Sequence, residues 1–123
     1  MELKWIMVVE DSADMREIYK DIFAGEVGYQ VEYFSQAERG LERLRAGQAY
    51  DLIILDIIME PLPGDSFFVR VRKELNMETV PVLVVTVLDE KILGRLHELG
   101  QFSYLQKPIT KQSLLGKVAG LVC

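Results

Sequence analysis

The sequence predicts an α/β fold: a doubly wound sheet of five parallel strands with helices on both faces. Three observations predict it. Short apolar runs alternate five times with stretches of helical period. The runs are apolar at every position rather than every second one, the pattern of strands buried on both faces. The chain has 123 residues, half of them hydrophobic, enough for one domain with a full core.

Residues 5–9 predict the first strand, with Trp5 in or beside it. A helix follows from Ser12 to about Ala24, with Met15, Ile18, Tyr19, Ile22 and Phe23 on one stripe, and Gly25 and Gly28 ending it. Residues 29–34 predict strand 2. Ser35-Gln36-Ala37-Glu38 has the capping-box spacing and opens helix 2, whose core positions are Leu41 and Leu44 and which Gly47 ends. Strand 3 is expected over 51–56. A loop with Pro61, Pro63 and Gly64 leads to helix 3, with Phe67, Phe68, Val71 and Leu75 inward. Strand 4 is expected over 80–86. Helix 4 is expected over 89–99, with Ile92, Leu93 and Leu96 inward. Strand 5 is expected over 102–106, and Thr110 caps helix 5, whose core face is Leu114, Leu115, Val118, Leu121 and Val122.

Strict βα alternation implies right-handed crossovers in one parallel sheet. Five strands make the flavodoxin-like order 2-1-3-4-5 the expected one, with its switch point between strands 1 and 3. Such folds place their chemistry at the carboxyl edge of the sheet. Here Ile6-Met7-Val8-Val9 ends in Glu10-Asp11, and Leu52-Ile53-Ile54-Leu55 ends in Asp56. Val82-Leu83-Val84-Val85 ends in Thr86, and Tyr104-Leu105-Gln106 ends in Lys107. Carboxylates about 4 Å apart repel by about 4 kcal/mol at an effective dielectric near 20, so such a cluster wants a counter-charge. Mg²⁺ suits it, bound by one or two carboxylates plus water and phosphate oxygens. Lys107 supplies a second positive charge, and an aspartate attacking phosphorus would give an aspartyl phosphate.

Composition excludes several classes. The net charge of −5 argues against a nucleic-acid surface on this chain. No run reaches the roughly 18 apolar residues of a membrane span. Met1-Glu2-Leu3-Lys4 does not open like a signal peptide. The single cysteine, Cys123, has no internal partner and fits a reducing cytoplasm. One domain over 1–123 is expected, without linker or repeat. The sequence reads equally as a stand-alone domain or as part of a longer protein.

These residues resemble the receiver domain of bacterial two-component response regulators over essentially the whole chain. The resemblance rests on Glu10-Asp11, Asp56, Met59, Gly64, Thr86, Tyr104 and Lys107-Pro108 in order. It implies that Asp56 accepts a phosphoryl group from a sensor histidine kinase or phosphotransfer protein, and that the domain is not an enzyme in its own right. It implies Mg²⁺ on Asp11, Asp56 and the main-chain carbonyl of Ile58, with Glu10 contacting the metal through water. Thr86 and Lys107 would contact phosphoryl oxygens, and Tyr104 would rotate after Thr86. The switched surface, helix 4 with strand 5 and helix 5, would bind a partner or a second copy. A cis bond is implied at Lys107-Pro108.

The sequence departs from that family at four places. Glu10 stands where Asp is more usual. Glu60 takes the place of a proline, with Pro61 one later. Val87 follows Thr86 where a small residue is usual. Ile58 and Leu88 occupy the two variable positions beside the attacking water, and neither can orient it. A long-lived phosphoryl group is the expectation. The alternative is a receiver-like protein-binding module that works without phosphorylation. A phosphatase of dehalogenase type would need an acid where Ile58 stands, and a flavin phosphate would meet an acidic loop.

Plainer readings exist beside these. Glu10 and Asp11 also suit a helix N-terminus. Thr86 suits a strand, Lys107 a solvated surface, and Tyr104 an ordinary core. Met7, Met15, Met59 and Met77 are expected to pack. His97 is expected at the surface or boundary. Arg70, Arg72 and Lys73 are expected to form a solvated face, and Cys123 to be exposed.

Overall fold

A computed structural model of the chain describes residues 2–59 and 62–122. The expectations for Glu60, Pro61 and Cys123 lie outside the described residues. Five parallel strands form one sheet in the order β2-β1-β3-β4-β5. They are β1 Lys4–Val9, β2 Tyr29–Phe34, β3 Leu52–Leu55, β4 Val82–Thr86 and β5 Ser103–Gln106. The helices are α1 Ala13–Ala24, α2 Ala37–Arg45, α3 Gly64–Val69, α4 Gly94–His97 and α5 Lys111–Val122. The three central strands are buried along their apolar runs because helices cover both faces.

Two cores result from the alternation of side chains along the strands. On one face Met7, Val9, Ile53, Leu55, Val82 and Val84 pack with Leu41, Phe67, Phe68, Leu93 and Leu96. On the other, Ile6, Val8, Leu52, Ile54, Leu83 and Val85 pack with Tyr19, Ile22, Phe23, Leu114 and Val118. The core face of α5 is as expected, with Leu115, Leu121 and Val122 partly buried against it. Trp5 lies in β1 and packs at the margin of the first core, and Met7 and Met59 are buried.

Several local expectations are corrected. Helix 2 has no capping box: Gln36 is its N-cap and makes no side-chain bond. Glu38 instead pairs with Arg70 across to the next helix at 2.8 Å. Helix 3 changes pitch, since α3 passes into a π-helical turn over Arg70–Glu74, closed by the Leu75 N–H on the Arg70 carbonyl at 2.8 Å. Helix 4 is split into a 3₁₀ turn, Glu90–Leu93, and the single turn α4. Leu93 and Leu96 stay inward, but Ile92 is 65% exposed, because it falls on the outer side of that 3₁₀ turn. Ile18 is also exposed, at 42%, at the edge of the α1 stripe.

Arg72 is not on a solvated face. It is 3% exposed, and its guanidinium donates to the carbonyls of Met77, Val80 and Gln101 at 2.8, 2.7 and 2.6 Å. The π turn rotates it inward, over the Phe68 ring and against Gly100. His97 is exposed and stacks on Phe102, with ring centroids 4.3 Å apart.

Candidate functional site

The sheet ladder delivers the polar residues to one edge. The Glu10 N–H donates to the Phe34 carbonyl, the Asp56 N–H to Val9, and the Lys107 N–H to Thr86. Each functional residue is thus the first beyond its strand, or in Thr86 the last within it. Glu10 and Asp56 end adjacent strands, so their side chains meet over the switch point.

They meet on Lys107. Its ammonium donates to Glu10 Oε1 at 2.8 Å and to Asp56 Oδ2 at 2.7 Å, with all three side chains largely buried. The remaining carboxylate oxygens are also occupied. Asp56 Oδ1 accepts from the Ile58 N–H at 3.1 Å, and Glu10 Oε2 accepts from the Ser12 N–H at 3.2 Å. Burial pushes the Glu10 carboxyl above its ordinary range, and the bonds from Lys107 only partly oppose this. Burial would lower the Lys107 ammonium, but the two carboxylates reverse that and raise it. One buried cation between two buried anions is stable only while all three partners are present.

Loop geometry fixes the approach. Ser12 caps α1 by accepting from the Met15 N–H at 3.2 Å, and Arg16 donates to the Glu10 carbonyl at 2.9 Å. Asp11 is exposed beside the site. Gly64 closes the β3–α3 loop with its N–H on the Ile57 carbonyl at 3.0 Å. A Cβ there would lie 1.9 Å from the Asp56 carbonyl oxygen, so only glycine fits. Lys107-Pro108 is cis, as the resemblance implied.

On the neighbouring strand Thr86 is fully buried, and its Oγ1 accepts from the Leu88 N–H at 3.4 Å. The Tyr104 hydroxyl donates to the Leu88 carbonyl at 2.5 Å, and its ring packs against the first core. Ile58 and Val87 are 53% and 59% exposed. The structure therefore brings Glu10, Asp56 and Lys107 into direct contact and leaves Asp11 outside that contact. Among the described residues no three metal-ligating side chains gather in one group.

Sequence reasoning missed the supporting residues. Ser12 gave a signal only as the start of helix 1, and Arg16 gave none. Tyr19 was expected in the core and is 1% exposed; burial, with the charges of Glu10 and Asp56, pushes its hydroxyl far up. Gln106 gave no signal, although its carboxamide donates to the Val87 carbonyl at 3.1 Å.

The chain is similar to known proteins over almost its whole length. A family model described as the response regulator receiver domain matches residues 6–119. Over 118 residues the chain is 30% identical to the sensor histidine kinase TmoS of Ectopseudomonas mendocina, covering 95% of this chain and 12% of that protein. It is 33% identical over 116 residues to the transcriptional regulatory protein DltR of Streptococcus agalactiae, covering 92% of this chain and 49% of that protein. The chain thus spans less than half the length of either relative. A Vibrio cholerae chemotaxis protein shares the fold, with a TM-score of 0.86 at 22% identity over 97% of this chain and 98% of that one. The N-terminal domain of a three-domain response regulator/sensory box/GGDEF protein from Carboxydothermus hydrogenoformans superposes with a TM-score of 0.82 at 26% identity, over 97% and 94% of the two chains. With the match running nearly from end to end and the strand order shared, this protein belongs to the response regulator receiver domains, the receiver modules of two-component signalling.

Proposed function

We propose that the protein is a phosphoacceptor, with Asp56 taking a phosphoryl group from a sensor histidine kinase or a phosphotransfer protein. The observation that carries the proposal is the bridge from Lys107 to Asp56 and Glu10 at 2.7 and 2.8 Å, beside buried Thr86. A buried lysine on an aspartate at a sheet edge is suited to neutralise a group placed there. As Asp56 attacks phosphorus, the donor's phosphorus–nitrogen bond breaks and Lys107 remains beside the incoming oxygens. The Thr86 hydroxyl accepts from Leu88 and so keeps its own proton for a phosphoryl oxygen.

The donor set fits Mg²⁺, because Glu10, Asp11, Asp56 and the Ile58 carbonyl are all hard oxygen ligands. Asp11, Asp56 and that carbonyl would hold the ion, with Glu10 through water, and the ion would neutralise phosphoryl charge. The switched surface would be α4, β5 and α5, met by a partner protein or a second copy, with no nucleic acid bound by this domain. Among the described residues no helix is long and apolar enough to cross a membrane. A cytoplasmic location belongs to the same proposal.

Intact-mass spectrometry after incubation with acetyl phosphate and Mg²⁺ tests it. One added phosphoryl group is expected, absent in Asp56→Asn and in EDTA. Ile58, Val87 and Leu88 offer water no polar partner at the mouth, so after donor removal the added mass is expected to last minutes or longer. Decay within seconds contradicts that expectation. A second reading, a binding module that works unphosphorylated, is favoured by one observation: Lys107 already satisfies both carboxylates. No mass gain, from acetyl phosphate or from a phosphorylated kinase, would select it.

A further inference from the structure

The end of β5 holds the loop after β4 at three consecutive carbonyls. The Lys107 N–H donates to Thr86 at 2.8 Å, Gln106 Nε2 to Val87 at 3.1 Å, and the Tyr104 hydroxyl to Leu88 at 2.5 Å. The first bond continues the sheet ladder. The third belongs to the proposed switch residue. The second has no assigned role, although Gln106 stands directly opposite Thr86 in the register of β4 and β5. Tyr104 and Gln106 lie two apart on one strand, so they project from the same face and grip neighbouring carbonyls.

We infer that Gln106 is a positioning residue for the phosphoryl site, acting through the Val87 carbonyl. This rests on the phosphoacceptor role of Asp56 proposed above. Gln106 does not touch Asp56 or Lys107 and takes no part in the transfer. It fixes the backbone on which Val87 and Leu88 sit, and those residues follow Thr86 at the same sheet edge where Ile58 follows Asp56. The bond from the Leu88 N–H to Thr86 Oγ1 is long, at 3.4 Å, and holds only while the loop stays in place. Tyr104 and Gln106 are the two β5 side chains that hold that loop, and Gln106 is the one with no part in the proposed switch. It therefore keeps the apolar residues over the site and slows the approach of water to the phosphorylated aspartate.

The test compares wild type with Gln106→Leu, which keeps the bulk and loses the donor, and Gln106→Arg, which keeps a donor. Gln106 is exposed, so both variants are expected to fold, and unchanged melting temperatures check this. Two readouts follow: amide exchange at Leu88 and Asp89 by NMR, and decay of the phosphoryl mass on Asp56. Loss of one hydrogen bond is expected to speed both by roughly two- to ten-fold in Gln106→Leu, with recovery in Gln106→Arg. Unchanged exchange overturns the inference, and so does faster exchange with an unchanged phosphoryl lifetime. If wild type took no phosphoryl group at all, the phosphoacceptor reading and the role of Gln106 in it would fall together. The exchange data would then still show whether the loop is held, which separates that failure from a failure of the clamp.

Discussion

Lys107 gives the site its electrostatic character, and its replacement is the most informative single change. In Lys107→Ala two carboxylates, 2% and 7% exposed, lose their common counter-charge. Removing one partner of a buried ionic group costs about 3 kcal/mol or more. The pH dependence separates this from lost packing. The folded Glu10 carboxyl is raised from 4.5, so it binds its proton more readily than the unfolded chain does. Folding is therefore favoured at low pH, and that contribution is lost as pH rises through the raised value. Lys107 is raised from 10.5, so its stabilisation is complete below that value and lost as pH rises through the folded one. Urea melts at neutral and mildly acidic pH are expected to show a large loss in Lys107→Ala that shrinks on acidification, as Glu10 takes up a proton. An equal loss at both would mean that the ion bridge contributes little. Asp56 and Lys107 were legible because a charged residue directly after an apolar strand has few places to go. That Lys107 is shared with Glu10 was not legible, since that depends on the reach of one extra methylene.

At the level of elements, the π turn after α3 ties three loops together through Arg72. Arg72→Met keeps a long apolar side chain and removes the donors to Met77, Val80 and Gln101. Three carbonyls losing their partners are expected to cost about 3 kcal/mol. For a domain of this size that lowers the melting temperature by about 10 °C, measurable by calorimetry. A change within a degree or two would show that water replaces the guanidinium without penalty. In the sequence Arg72 groups with Arg70 and Lys73 as a basic solvated face, although residues two apart on a helix do not share a face and Arg72 falls at the flank of the Phe67, Phe68, Val71 and Leu75 stripe. One extra residue in the turn, closed by the Leu75 N–H on Arg70, brings it inward. The same limit applies to helix 4. Leu93 and Leu96 were legible as core at their spacing of three, but a 3₁₀ turn and an α turn both satisfy that spacing. Only the pitch decides where Ile92 goes. Strands were read more securely, since four continuous apolar residues in a βα alternation leave one sheet arrangement far ahead of the others.

For the whole molecule, the question is how much one phosphoryl group can shift. Moving a two-state protein from 1:99 to 99:1 takes about 5.5 kcal/mol of differential affinity. The proposed contacts from Thr86 and Lys107 to a dianion would supply about 1.5–3 kcal/mol each. Against this, Lys107 gives up part of its hold on Glu10. On the proposed switch, part of the rearrangement would already be in place, because Tyr104 packs against the core and bonds to Leu88 while Thr86 faces its own loop. A small remaining difference needs only a small input, so phosphorylation is expected to complete a bias already present. Amide shifts of the unphosphorylated protein over residues 86–106 should lie between those of Tyr104→Ala, which cannot make the Leu88 bond, and those of the phosphoprotein. The three should fall along one line for each residue, as fast exchange between two states requires. Shifts that leave that line, or that spread evenly into β1, α1 and β2, would mean that the phosphoryl group creates a new state. In that case the contact of Tyr104 with Leu88 would be a resting arrangement and not a partly thrown switch.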